Sequence, residues 1–119
     1  MHARLARMVQ PETLKTDAYL PWSRGRGNDV WAMLRASAAG DLDAVEALVA
    51  RDPQLAECSY EYLTPIRFAV RDNRGAVVDF LLEHGVSPAY EAGESLVTIA
   101  RDRGYSELTA LLESALRTR

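Results

Sequence analysis

Residues 64–82 read TPIRFAVRDNRGAVVDFLL. Thr64 before Pro65 marks a helix start: a hydroxyl can accept from an unpaired amide of the first turn, and proline's fixed φ and missing N–H suit the first helical position. Asn73 tolerates the left-handed conformation that stops a helix. Val77, Val78, Leu81 and Leu82 then recur at helical spacing, and Gly85 ends the second helix. The stretch is a helical hairpin. A hairpin of that size cannot bury its apolar stripe alone, so it needs neighbours of its own kind.

The neighbours are present. Residues 31–49, WAMLRASAAGDLDAVEALV, and residues 95–113, SLVTIARDRGYSELTALLE, align with it without gaps, at spacings of 33 and 31 residues. Gly40 and Gly104 stand where Asn73 stands, and Leu42, Val45, Leu48 and Val49, like Leu108, Leu111, Leu112 and Leu116, form the matching stripes. Ser95 is the predicted cap of the third copy and Asp29 that of the first. Asp43, Glu46, Asp79 and Glu107 lie near the starts of the second helices, where negative charge complements the helix dipole. The pattern predicts an all-α chain of about three helix-turn-helix units, near residues 29–61, 62–93 and 94–119, behind a flank of residues 1–28.

The segment Leu63-Thr64-Pro65-Ile66-Arg67-Phe68-Ala69-Val70, continued by Val77-Val78-Asp79-Phe80-Leu81-Leu82-Glu83-His84-Gly85-Val86-Ser87-Pro88, resembles the ankyrin repeat. The resemblance extends over residues 29–119 and implies a solenoid. The histidine that the family places after Thr-Pro-Leu, which hydrogen-bonds backbone between repeats, is replaced by Leu34, Arg67 and Thr98. The first copy ends Arg51-Asp52-Pro53-Gln54-Leu55-Ala56 instead of in the family's Gly-Ala-Asp, predicting an irregular turn. The loop from Cys58 to Tyr62 is expected to be ordered by aromatic packing. The resemblance also implies partner binding on a concave face built from loop tips and first helices. Carried over residue by residue, that face is Tyr60, Glu61, Leu63 and Arg71 in the middle unit and Glu91, Ala92, Glu94 and Asp102 in the third. Tyr60, Tyr62 and Tyr90, with Arg67 and Arg71, have the character of binding hot spots. The plainer alternative packs Tyr62 between units and leaves the arginines in solvated ion pairs.

At 119 residues the chain is one domain's worth, which excludes large catalytic architectures. Its net charge of -3 offers no global footprint for nucleic acid. The distribution is uneven: residues 1–28 carry +3 and residues 29–119 carry -6. In the flank, a short helix is expected over Ala3 to Gln10, stopped by Pro11, and Leu14, Tyr19, Leu20 and Trp22 are expected to cap the first unit. The alternative is a loose tail or a partner-binding arm. Arg24-Gly25-Arg26-Gly27 lacks the strand and the lysine of a phosphate loop and reads as a solvated connector. Trp22 and Trp31 are expected as anchors of core or cap.

Catalytic chemistry is sparse. His2 and His84 are the only histidines, and His84 falls in the last turn of a helix, a structural position. Cys58 is the single cysteine, so it forms no intrachain disulfide; its neighbours Glu57 and Glu61 are expected to raise its pKa. Asp41 and Asp43 lack calcium-loop spacing and read as a helix start. No apolar run reaches a membrane span, and the N-terminus has no secretory pattern, so the expected location is the cytoplasm.

The expectation is a non-enzymatic protein-protein interaction module, without cofactor, metal or membrane contact, monomeric or part of a longer repeat array. Tyr60, Arg71, Glu91 and Asp102 are its leading contacts. The last helix carries apolar residues on more than one side, which keeps a second reading open: the N-terminal regulatory or targeting segment of a larger enzyme or multidomain protein. Nucleic-acid contact through the basic flank is the third and least favoured reading.

Overall fold

The computed structural model describes residues 9–89 and 95–118. Among these residues every regular element is helical: α1 Gly27–Ala39, α2 Leu42–Arg51, α3 Pro65–Arg71, α4 Gly75–Glu83, α5 Leu96–Asp102 and α6 Ser106–Arg117, with 3-10 turns at Glu12–Leu14 and Pro53–Glu57. The Pro53–Glu57 turn occupies the irregular ending expected of the first copy. No helix of the described residues is long and apolar enough to cross a membrane.

Local chemistry explains most boundaries. The Thr64 hydroxyl accepts from the Arg67 amide at 3.4 Å, Ser95 from Thr98 at 3.2 Å, and the Asp41 carboxylate from Ala44 at 3.2 Å. Each removes one of the amides that a helix start leaves unpaired. The left-handed breaks fall at Gly40, Asn73 and Gly104, with φ of 75°, 60° and 76°.

Two expectations are corrected here. Asp29 is not a cap: α1 starts earlier, at Gly27, because the flank supplies main-chain acceptors in place of a side chain. Gly27 donates to the Ala18 carbonyl at 3.2 Å and Asn28 to that of Thr16 at 2.9 Å. Asp29 is thereby released to pair with Arg51 at 2.6 Å. Glu46 and Asp79 both stand one turn inside their helices, which leaves Asp43 and Glu107 as the first-turn acids of the second helices.

The helices pair as α1/α2, α3/α4 and α5/α6, and the pairs stack. First helices pack on first helices, α1 on α3 and α3 on α5; second helices pack on second helices, α2 on α4 and α4 on α6. Leu34, Ile66, Phe68, Val70, Leu96 and Ala100 are core residues from the first helices, and Val45, Val77, Val78, Leu81, Leu108 and Leu112 from the second. A fully buried leucine or phenylalanine contributes about 2 kcal/mol, so the stripes supply most of the cohesion. Leu42, Leu82 and Leu111 are half-buried at the stripe margins, and Leu116 is exposed.

A hydrogen bond recurs between successive pairs. Arg74 Nε donates to the Ala38 carbonyl at 2.9 Å, and the Tyr105 hydroxyl donates to the Arg71 carbonyl at 3.0 Å. Counting from Trp31, Thr64 and Ser95, both donors stand ten residues on in their own copy and both acceptors seven residues on in the preceding copy. Two unlike side chains therefore make one equivalent link. Two of the positions compared with the family's histidine have roles of their own: Leu34 is in the core, and Thr98 Oγ1 accepts from Ser95 Oγ at 2.7 Å.

The flank is ordered onto α1. Leu14 is fully buried. Gly25 and Gly27, expected in a solvated connector, are buried instead. A Cβ at Gly27 would lie 2.7 Å from the Leu14 carbonyl oxygen, and one at Gly25 would lie 2.5 Å from Leu55 Cδ2. Their arginine neighbours are engaged: Arg24 with Glu57 at 2.9 Å, Arg26 with the Asp17 carbonyl at 2.6 Å and over the Tyr19 ring at 4.4 Å. Tyr19 and Trp22 remain about half exposed, unlike Leu14. The helix expected from Ala3 lies, apart from Val9 and Gln10, outside the described residues.

Candidate functional site

The connection between the first two pairs ends in a two-residue turn. Tyr60 and Leu63 exchange both main-chain hydrogen bonds, at 2.9 and 2.8 Å, across Glu61 and Tyr62. The latter two have φ of 50° and 66°. Positive φ at both central residues defines a type I′ turn, a geometry that favours Asn-Gly and strains other residues. Leu63 anchors the turn, 4% exposed, and the half-buried Tyr60 packs against the core. Glu61 is exposed, and Tyr62 is 81% exposed.

The flank joins this turn. Trp22 lies 6.0 Å from the Tyr60 ring at an interplanar angle of 53°, and the Ser59 amide donates to Ser23 Oγ at 2.9 Å. The expected aromatic ordering of this loop is met by Trp22 and Tyr60. Tyr62 does not pack between units as the plainer alternative had it; its ring faces solvent.

Of the eight carried-over residues, Tyr60, Glu61 and Leu63 meet in this turn. Leu63 gives its side chain to the core, so only its backbone is available to a partner there. Arg71 is at the other end of α3, about 10 Å along the helix axis. Its guanidinium grips Asp72 through two contacts of 3.1 and 3.0 Å and stacks 4.7 Å from the Phe68 ring, leaving the side chain 19% exposed. Arg71 is thus held inside the fold. Asp102 is the exposed last residue of α5. Glu91, Ala92 and Glu94, with Tyr90, lie outside the described residues. Trp22 is the surface residue that sequence reasoning assigned to packing. No local signal separates an anchoring tryptophan from a displayed one.

The remaining chemical groups are engaged structurally. Burial pushes the Cys58 thiol up to about 12, with Asp52 adding to the rise and a hydrogen bond from its own backbone amide opposing it. The expected direction is correct, but the cause is desolvation and not Glu57 or Glu61. His84 caps α4, its Nδ1 2.9 Å from the Phe80 carbonyl and its ring 4.0 Å from that of Phe80. Asp41 caps α2 and Asp43 lies in its first turn. Among the described residues no three of His, Cys, Asp and Glu gather as a metal-binding set. A groove of about 300 Å³ between the Pro53–Glu57 turn and the end of α4 has, among the described residues, Glu57 as its single charged lining residue. No family model matches the sequence.

Proposed function

We propose that the chain is an ankyrin-type repeat module that binds a protein partner and performs no catalysis. The observation that carries this reading is the stack: three gap-free copies fold as three helix pairs joined by an equivalent link at equivalent positions. Such an arrangement uses the loops between pairs for display, and here the first of them projects exposed Glu61 and Tyr62. A thiol held protonated up to about 12 and carboxylates spent on caps and ion pairs fit a binding role better than a catalytic one. The buried lone cysteine suits a reducing compartment, and we read the location as cytoplasmic.

The test is affinity capture with the immobilised chain against a Glu61→Arg/Asp102→Arg chain. Both residues are exposed, so folding is expected to survive, whereas reversing Arg71 would set two acids side by side at Asp72. A protein retained at least tenfold better by the parent supports the reading. Equal retention of everything by both chains overturns it.

A further inference from the structure

The second helices of successive copies differ at two equivalent positions. Counting from Thr64, the positions sixteen and twenty residues on hold Phe80 and His84, whose rings lie 4.0 Å apart. Phe80 packs against the core from there. Counting from Ser95, the same positions on α6 hold Leu111 and Ala115. An isobutyl and a methyl group stand where the copy before has two rings, and the difference is open space. A groove of about 250 Å³ lies between α4 and α6, walled by Leu82, Val86, Leu111 and Ala115. Leu82, Leu111 and Ala115 are only half-buried, so apolar surface is left in water along its length.

The size of the groove decides what it can take. Pockets that enclose whole small-molecule ligands run from about 300 to 1,000 Å³. This one is smaller and suits a single anchored side chain of a larger partner. Aromatic side chains are the favoured anchors of protein interfaces. The chain's own Phe80 and His84 show that rings are accommodated at these positions of the repeat.

The rim of the groove is acidic. Asp79 and Glu83 line it from α4, one turn apart and both exposed. Neither is in an ion pair among the described residues. No cationic side chain lines the groove among the described residues. The cations nearest in sequence do not offset the two acids. His84 Nδ1 lies 2.9 Å from the Phe80 carbonyl, and Arg101 is paired with Glu113 at 2.8 Å. Arg117 is in the last turn of α6, where a cation complements the helix dipole. Arg67 belongs to α3 and the basic flank packs on α1, both first helices, whereas the groove lies between second helices.

We propose that the groove between α4 and α6 takes a phenylalanine or tryptophan side chain of a partner protein, and that a lysine or arginine beside it in the partner pairs with Asp79 and Glu83. The ring covers Leu82, Leu111 and Ala115 and does at the second junction what Phe80 does one copy earlier. The two acids select a basic neighbour and repel an acidic one. This assignment rests on the reading of the chain as an interaction module and names the chemistry of its partner.

The test is a titration of the isotope-labelled full chain, followed by amide chemical shifts, with a capped peptide Gly-Lys-Phe-Lys-Gly. The same peptide with alanine in place of phenylalanine, and with glutamates in place of the lysines, serve as comparisons. The phenylalanine peptide is expected to shift Leu82, Leu111 and Ala115 and to bind about tenfold tighter than either comparison, the usual margin for losing an aromatic anchor. Asp79→Asn with Glu83→Gln should weaken it about fivefold, as two exposed ion pairs do. Glu46→Gln, which alters the acid equivalent to Asp79 on α2, should change nothing. Leu111→Phe with Ala115→His copies the two rings of α4 into α6, fills the groove and should weaken binding about tenfold or more. Thermal melts establish that each variant folds. If the filled variant does not fold, the Asp79/Glu83 variant carries the decision. Absence of saturable shifts at the groove overturns the assignment, as do equal affinity for the alanine or glutamate peptide and undiminished binding by the filled or the Asp79/Glu83 variant. If the assignment fails while protein capture still depends on Glu61 and Asp102, the partner docks elsewhere and only this assignment falls. If capture is also insensitive, the interaction reading falls with it.

Discussion

The turns inside the helix pairs and the turn between the first two pairs face the same steric problem with opposite residues. Gly40, Asn73 and Gly104 take positive φ inside the pairs, and all three are residue types that do so at little cost. Between the pairs the same region of backbone space is held by a glutamate and a tyrosine. The first set is composed for folding. The second accepts strain to put a carboxylate and an aromatic ring at a tip, above a root that is fully closed: Cys58 is 0% exposed and Tyr62 81%.

The largest expected effect is at that root. With its thiol near 12 against an ordinary 9.0, Cys58 should react with iodoacetamide at pH 8 on the order of a thousandfold more slowly in the folded chain than in denaturant, read by mass spectrometry. The folded thiol also keeps a proton that the unfolded chain releases between those two values. Its contribution to stability is therefore complete below about 9 and lost as pH rises towards 12. A Cys58→Ala chain should lack that component, and denaturation curves across this range that run parallel for the two chains would contradict it.

Next is Gly40→Ala, expected to cost about 1–2 kcal/mol in denaturant melts. The new Cβ would meet both the wrong φ and Arg74 Cδ at 2.7 Å, whereas at Gly104 nothing lies within 4 Å. Gly104→Ala should therefore cost less, and equal losses would show that Arg74 simply moves aside. The converse exchange, Glu61→Asn with Tyr62→Gly, should raise stability by about 1 kcal/mol. A lowered melting temperature would remove the contrast between the two kinds of turn. The smallest effects belong to the links between pairs: about 1 kcal/mol for Tyr105→Phe, whose bond is part-buried, and about 0.5 kcal/mol for Arg74→Ala, whose bond is exposed. The reverse order would assign the sturdier junction to Arg74.

What could be read from the amino acids alone was what neighbours in sequence decide. Thr64, Ser95 and Asp41 act on amides three residues away, and Gly40 or Asn73 declares a backbone preference by itself, so helix ends were legible. What depends on distant contacts was not. Asp29 has the chemistry of a cap but is displaced by carbonyls of the flank, and Gly25 and Gly27 resemble a loose connector until Leu55 and Leu14 close on them. In the candidate site, Arg71 has the composition of a hot spot, and its engagement with Asp72 and Phe68 depends on rotamers that spacing does not reveal. The equivalence of Arg74 and Tyr105 was hidden because the two share no property except a donor long enough to reach.

That equivalence bears on how such a chain changes over generations. Each link ends on a main-chain carbonyl, a group that every residue carries, so it asks nothing of the neighbouring unit's sequence. Only the donor depends on a side chain, and here a guanidinium and a phenol both serve. A unit that is duplicated, lost or exchanged brings its own half of the junction and finds the other half already in place.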